Sequence, residues 1–228
     1  MPGMSQPPSD DRDAEAADDA GLVDPTTTAS PTSYWPGLQD TEHSAWYVQR
    51  FRVMATLGED MHGESRLMDV LAPRGARLLD AGSGPGRHGG HLARLGHRVV
   101  GVDIDPVLIA AAREDHPDAT WLVGDLVTLD LAAQGEREPF DGVLLAGNVM
   151  DFIPQEHRAT ALARVAAHVR PGGFVLVGCR TVRGFTPEEL DAALPAAGLR
   201  LEHRFGTWDL APWDPASTYF VSVLRKDG

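Results

Sequence analysis

The stretch ARLLDAGSGPGRHGGHLARLGHRVVGVDIDP, residues 76 to 106, constrains the fold of this chain more than any other. It opens with a short apolar run, Leu78-Leu79, that ends in Asp80. A glycine-dense turn follows, Gly82-Ser83-Gly84-Pro85-Gly86. Leu92 and Leu95 then recur at helical spacing, and Gly96 closes that segment. A second strand-like run from Arg98 to Val102 ends in Asp103. Strand, tight turn, helix, strand and acid in this order predict one βαβ unit with a nucleoside-binding geometry.

Each residue type has its own physical reason. Glycines at 82, 84 and 86 allow positive φ and leave no Cβ between backbone and ligand. A helix starting near Arg87 points free N–H groups over the turn, where a carboxylate or phosphate is stabilised. Asp103 lies 19 residues after Gly84, which suits a carboxylate accepting from the 2′ and 3′ hydroxyls of a ribose. Two features speak against a nicotinamide dinucleotide. Arg87 stands where that fingerprint needs its third glycine, and Asp80 before the turn would repel a pyrophosphate but suit a cationic ligand.

The segment Asp80-Ala81-Gly82-Ser83-Gly84-Pro85-Gly86 resembles the first motif of the class I S-adenosylmethionine-dependent methyltransferases, acid-x-Gly-x-Gly-x-Gly, at every fixed position. The resemblance extends over about residues 40–226, with its specific motifs within 80–148. It implies S-adenosylmethionine as cofactor. It also implies that Asp125 contacts the adenine amino group, with the backbone N–H at Leu126 meeting a ring nitrogen. A turn or a helix cap is the alternative for Asp125. Gly147 and Asn148, after the fourth strand, fit a backbone passing close to the methionine part of the cofactor. The full cofactor-binding set expected is Asp80, Gly82, Ser83, Gly84, Gly86, Asp103, Ile104, Asp125, Leu126, Gly147 and Asn148. Met150 and Phe152 are expected to shape the acceptor pocket, and Asp151 is the candidate polar group on the acceptor side. The competing part for Asp151 is a cap for the helix that follows.

Apolar periodicity organises the rest. Residues 1–33 carry Asp10, Asp11, Asp13, Glu15, Asp18, Asp19 and Asp24 against a lone Arg12, with little to bury, and are expected to be a disordered acidic tail. Residues 34–228 form the expected methyltransferase domain. Within it, helices over about 41–72 are expected either to form a lid over the site or to pack plainly against the sheet. His43 and His62 read as surface histidines. Strands are expected at 119–123, 140–146, 174–177, 199–205 and 218–224. Helices are expected at 107–113, 155–169 and 187–197, the last opened by Thr186-Pro187 and closed by Gly198. Residues 131–139 read as a surface loop, Arg170-Pro171-Gly172-Gly173 as a turn, and Cys179 as packing. The loop bearing Trp208 and Trp213 either packs or closes over the acceptor. Alternation followed by two terminal strands predicts an α/β, doubly wound, mostly parallel seven-stranded sheet with an antiparallel last strand, the Rossmann-like fold of the family.

A formal charge of −13 argues against non-specific binding to nucleic acid or anionic membranes. Cys179 is the only cysteine, so no intrachain disulfide or cysteine-cluster metal site is possible and a cytoplasmic location is expected. No metal site, secretory signal or membrane span is visible, and a monomer or homodimer is expected. The functional expectation is methyl transfer to a small-molecule acceptor. An NAD(P)-dependent oxidoreductase and a non-catalytic S-adenosylmethionine-binding regulator are the competing readings.

Overall fold

The computed structural model describes residues 32–182 and 184–228. The acidic tail expected over 1–33 lies almost entirely outside them.

Seven strands form one sheet in the order β3-β2-β1-β4-β5-β7-β6: β1 (Arg77–Ala81), β2 (Arg98–Asp103), β3 (Thr120–Val123), β4 (Phe140–Leu145), β5 (Val169–Arg180), β6 (Leu199–Phe205) and β7 (Tyr219–Lys226). All neighbours from β3 to β5 pair in parallel, while β7 runs antiparallel to both β5 and β6. The strand pair with no helix between its members thus inserts β7 antiparallel, as the sequence pattern predicts.

The helices are α1 (Thr41–Thr56), α2 (Gly63–Leu71), α3 (Arg87–Arg94), α4 (Pro106–Asp115), α5 (Gln155–Ala167) and α6 (Pro187–Ala197). Side chains of the central strands alternate between two apolar layers, as the period of two requires. Leu79, Val100, Val143 and Val175 join α5 and α6 on one face. Leu78, Val99, Leu144 and Leu176 meet α2 and α3 on the other. Burial on both faces explains why these strands read as unbroken apolar runs. Local caps set the helix starts: the Asp40 side chain accepts from Glu42 N–H, Asp105 from Val107 N–H and Thr186 from Glu189 N–H.

One expected turn is not a turn. Arg170–Gly173 lies inside β5, as a bulge between the Phe140–Val169 and Gly142–Phe174 pairs. Asp141 holds it there, accepting from Arg170 Nε at 2.7 Å and from the Arg77 N–H at 2.8 Å. A side chain at Gly173 would meet the carbonyls of Arg170 and Asp141 at 2.9 Å, so glycine is required. The loop at 131–139 is also less superficial than expected, because Leu131 is fully buried. Among the described residues no helix is long and apolar enough to cross a membrane.

Candidate functional site

The strand order reverses direction between β1 and β4, and open α/β sheets bind ligands beyond the carboxyl ends of the strands at such a point. A cleft of about 600 Å³, counted to its open mouth, lies there. Every strand from β1 to β4 contributes to it through the loop at its end. Gly82 and Gly84 follow β1, Asp103 and Ile104 end β2, Gly124, Asp125 and Leu126 follow β3, and Gly147, Val149, Phe152 and Ile153 follow β4. Thr32, Ser33 and Trp35, ahead of α1, and Tyr47 of α1 also line it, as does Leu108 of α4.

Seven of the residues expected at the cofactor therefore share one cleft: Gly82, Gly84, Asp103, Ile104, Asp125, Leu126 and Gly147. Asp103 is half-buried at its floor. Its Oδ2 accepts from Gly84 N–H at 2.8 Å and its Oδ1 from Asp105 N–H at 2.9 Å. Burial pushes its pKa up to about 6, against the pull of those two N–H bonds. Asp125 accepts from Val127 N–H at 2.8 Å, so the turn reading of this residue holds locally while it also faces the cleft. Gly147 has φ of 65° and open space where a Cβ would stand, which keeps the backbone approachable.

Five expected residues do not line the cleft. Asp80 is 2% exposed, and its Oδ2 accepts from Gly89 N–H at 2.8 Å, inside the first turn of α3. It is spent on the helix start, beneath the glycine turn, and burial pushes its pKa up to about 7. Ser83 is buried within the same turn. Gly86 answers to the fold: φ is 84°, and an added Cβ would stand 2.8 Å from the Trp121 ring. Asn148 sits at φ 58°, and its Oδ1 accepts from Arg180 N–H at 3.0 Å, tying the end of β4 to the end of β5. Asp151 is turned toward Cys179, whose thiol pKa is raised by burial and then by that carboxylate. The Asp151 oxygens are shielded from solvent. Nor does it cap α5, which starts after Pro154 without a side-chain cap.

Gly86→Ala is expected to lower stability by roughly 1–3 kcal/mol, since the new methyl must displace an indole and sit at positive φ. A urea or thermal unfolding midpoint measures it.

The surroundings correct several smaller expectations. Met150 is buried in the α5–α6 layer, whereas Phe152 does reach the cleft. His62 is half-buried, its ring stacked on His91 at 3.9 Å and its pKa lowered chiefly by burial. Trp208 lies on Gly178 of β5, and Trp213 packs against the α5–α6 layer, so neither tryptophan lines the cleft. Of the two leading helices, α1 reaches the cleft through Tyr47, while α2 buries Leu67 and Met68 against the sheet.

Sequence reasoning missed how the covering segment is fastened. Trp35 Nε1–H donates to Asp105 Oδ2 at 2.7 Å, and the Ser44 hydroxyl donates to the same oxygen. Trp35 also packs edge-on against Tyr47 and Phe152, at centroid distances of 5.1 and 5.3 Å. Tyr34 N–H donates to Phe152 O at 2.6 Å. Asp105 is 1% exposed, so one buried carboxylate fastens the cover to the loop after β2. The only sequence signal was its place before Pro106, which identifies a helix cap and nothing more.

Several known proteins are similar to this chain. A family model described as a methyltransferase domain matches residues 78–173. A ubiquinone biosynthesis O-methyltransferase of Methylocella silvestris is 35% identical over 197 residues, covering 69% of this chain and 75% of that protein. A dTDP-3-amino-3,6-dideoxy-alpha-D-glucopyranose N,N-dimethyltransferase of Streptomyces fradiae is 34% identical over 125 residues, 53% of this chain and 47% of that one. The crystal structure of a TehB-like SAM-dependent methyltransferase from Corynebacterium glutamicum is 40% identical. It superposes with a TM-score of 0.77 over 82% of this chain and 100% of that one. The chain spans about half the length, or less, of several curated relatives it matches.

Proposed function

We propose that this chain, which belongs to the class I S-adenosylmethionine-dependent methyltransferase family, transfers a methyl group from S-adenosylmethionine to a small-molecule acceptor. The observation that carries the reading is the convergence of Asp103, Asp125, Gly82, Gly84 and Gly147 on one cleft at the ends of β1 to β4. The donor set suits this cofactor. A ribose needs an acceptor pair such as Asp103, an adenine needs an edge such as Asp125-Leu126, and an amino-acid moiety needs backbone without side chains, as at Gly82, Gly84 and Gly147. S-adenosylmethionine held there would supply an electrophilic methyl, on a sulfonium, to a lone pair of the acceptor.

The protein's part is to hold and to shield. Asp103 would hold the ribose, and Asp125 with Leu126 would orient the adenine. Trp35, Tyr47 and Phe152 line the cleft and would shield a bound ligand from water, which would strengthen polar contacts to it. Positioning of this kind accounts for much of the acceleration when the leaving group is already good. Rather than touch the ligand, Asp80 holds the helix start after the turn, and Gly86 lets the turn pack against Trp121. Ser83 is buried within the turn, and Asn148 ties the end of β4 to the end of β5. For Asp151 we assign a supporting part, beside Cys179, in fixing the Val149–Phe152 turn that walls the cleft. The domain that carries this activity spans 34–228. The net charge of −13 favours an acceptor other than nucleic acid. The single buried Cys179 is at home in a reducing cytoplasm.

Isothermal titration of the purified chain with S-adenosylmethionine, S-adenosylhomocysteine and NADH tests this directly. Micromolar binding of the first two and none of the third is the expected result. A folded chain that binds neither adenosyl ligand would sink the proposal.

A further inference from the structure

The proposed activity leaves the acceptor open, and one side chain near the cleft narrows its chemistry. Arg180 ends β5, and its N–H is held by Asn148, the neighbour of cleft-lining Gly147. The residue is half-buried. Every other buried or half-buried arginine among the described residues has a partner. Arg77, Arg87, Arg158 and Arg204 each meet a carboxylate, Arg52 and Arg225 likewise, and Arg50 lies over the Phe51 ring. Of these arginines, only the Arg180 guanidinium has no carboxylate or ring partner among the described residues.

Strand alternation says where it points. Cys179 belongs to the α5–α6 layer, and Gly178 faces Trp208 on the opposite side. Arg180 therefore projects to the Trp208 side. Tyr219 stands directly across from it in the antiparallel pair, with its hydroxyl accepting from Trp208 Nε1–H at 3.0 Å. The phenol remains neutral, because burial raises its pKa and the Glu64 charge adds to that. Arg87 nearby is already matched by Glu64 at 3.1 Å. His88 is held neutral, its pKa lowered well below the usual range by burial and then by Arg87. The charge left at this corner is the guanidinium of Arg180.

Resting on the methyltransferase reading, we propose that Arg180 is a specificity-determining residue that binds an anionic group, carboxylate or phosphate, on the acceptor. A planar guanidinium presents a fork of donors that matches both anions bidentately. The chain's negative charge does not oppose this at contact range, because exposed charges further away than about 8 Å are largely screened at physiological ionic strength.

The test uses the chain loaded with S-adenosylhomocysteine and three probes of one shape: benzoate, phenyl phosphate and benzamide. Titration followed by tryptophan fluorescence reads their affinities. Benzoate or phenyl phosphate is expected to bind at least tenfold more tightly than benzamide, and the tighter of the two identifies the anion. Arg180→Gln is expected to bring both anions to the level of benzamide while leaving S-adenosylhomocysteine affinity unchanged, which also verifies the fold. Arg180→Lys is expected to keep part of the preference. Anions that bind no better than benzamide, or a preference that survives in Arg180→Gln, overturn the proposal. A wild-type chain that fails to bind S-adenosylhomocysteine overturns the methyltransferase reading first and the proposal with it. The two failures are told apart by which ligand is lost.

Discussion

Replacing Asp103 by alanine is expected to weaken S-adenosylmethionine binding by ten- to a hundredfold, about 1.5–3 kcal/mol for charge-assisted hydrogen bonds to a ribose. The structure adds a second cost. The same carboxylate accepts from Gly84 N–H and from Asp105 N–H, so it shapes the glycine turn and steadies the loop that fastens the cover. Asp103→Asn separates the two parts, since an amide keeps one acceptor oxygen and removes the charge. Titration calorimetry of the three chains measures the effect. Unchanged affinity in a folded Asp103→Ala chain would remove Asp103 from the site.

The same residue makes binding depend on pH. Burial places the free protein's Asp103 at about 6, well above an ordinary carboxylate. A raised carboxylate favours the folded state while it is protonated. That stability is complete below the unfolded pKa, near 3.9, and is lost as pH rises through about 6. Asp80 acts with the same sign, up to about 7. The ligand works in the opposite sense, because the ionised Asp103 is the better acceptor for two hydroxyls. The unliganded chain is therefore expected to lose stability between about pH 4 and 7, while cofactor affinity rises. At pH 5, one unit below the Asp103 value, binding is expected to be about tenfold weaker than at pH 8. In Asp103→Asn the part of this slope between pH 5 and 6 is expected to vanish.

What the sequence made legible is what neighbouring residues determine together. The turn at Gly82 to Gly86, the acid after β2 and the acid after β3 follow from strand, turn and helix signals a few residues apart. Parallel strands then carry all of them to one end of the sheet. What stayed hidden depends on partners far along the chain. Gly86 is glycine because Trp121 occupies the space a methyl would take, and no local pattern announces that. Asp80 matches a ligand-facing position in the motif, yet its oxygen is committed to Gly89. The Pro-Gly-Gly at 171–173 carries strong turn chemistry, but β4 recaptures the chain on both sides and turns it into a bulge. Trp35 and Asp105 are 70 residues apart, so only the folded chain reveals that one caps the cleft and the other holds it.

That pair supports the second large effect. Asp105→Ala is expected to cost roughly 3–5 kcal/mol of stability. It removes a buried carboxylate that accepts from Trp35, Ser44 and Val107, at about 1.5–3 kcal/mol for each charge-assisted bond and less than fully additive. The indole N–H and the hydroxyl are left without their acceptor beneath a closed surface, where an unmade bond costs most. Asparagine is a poor substitute. With its amide nitrogen at the Oδ2 position it meets the Trp35 donor, and at the Oδ1 position it meets the Val107 donor, so at least one bond is lost either way. Asp105→Asn is therefore expected to lie between wild type and alanine. The functional consequence is kinetic. Thr32, Ser33, Trp35 and Tyr47 line the cleft, and loosening their fastening opens the path for the cofactor. Stopped-flow displacement of S-adenosylhomocysteine is expected to show faster dissociation in Asp105→Ala, with a smaller change in association. A dissociation rate equal to that of the wild type, in a variant that has lost the expected stability, would mean that the Trp35 segment supports the fold without gating the cleft.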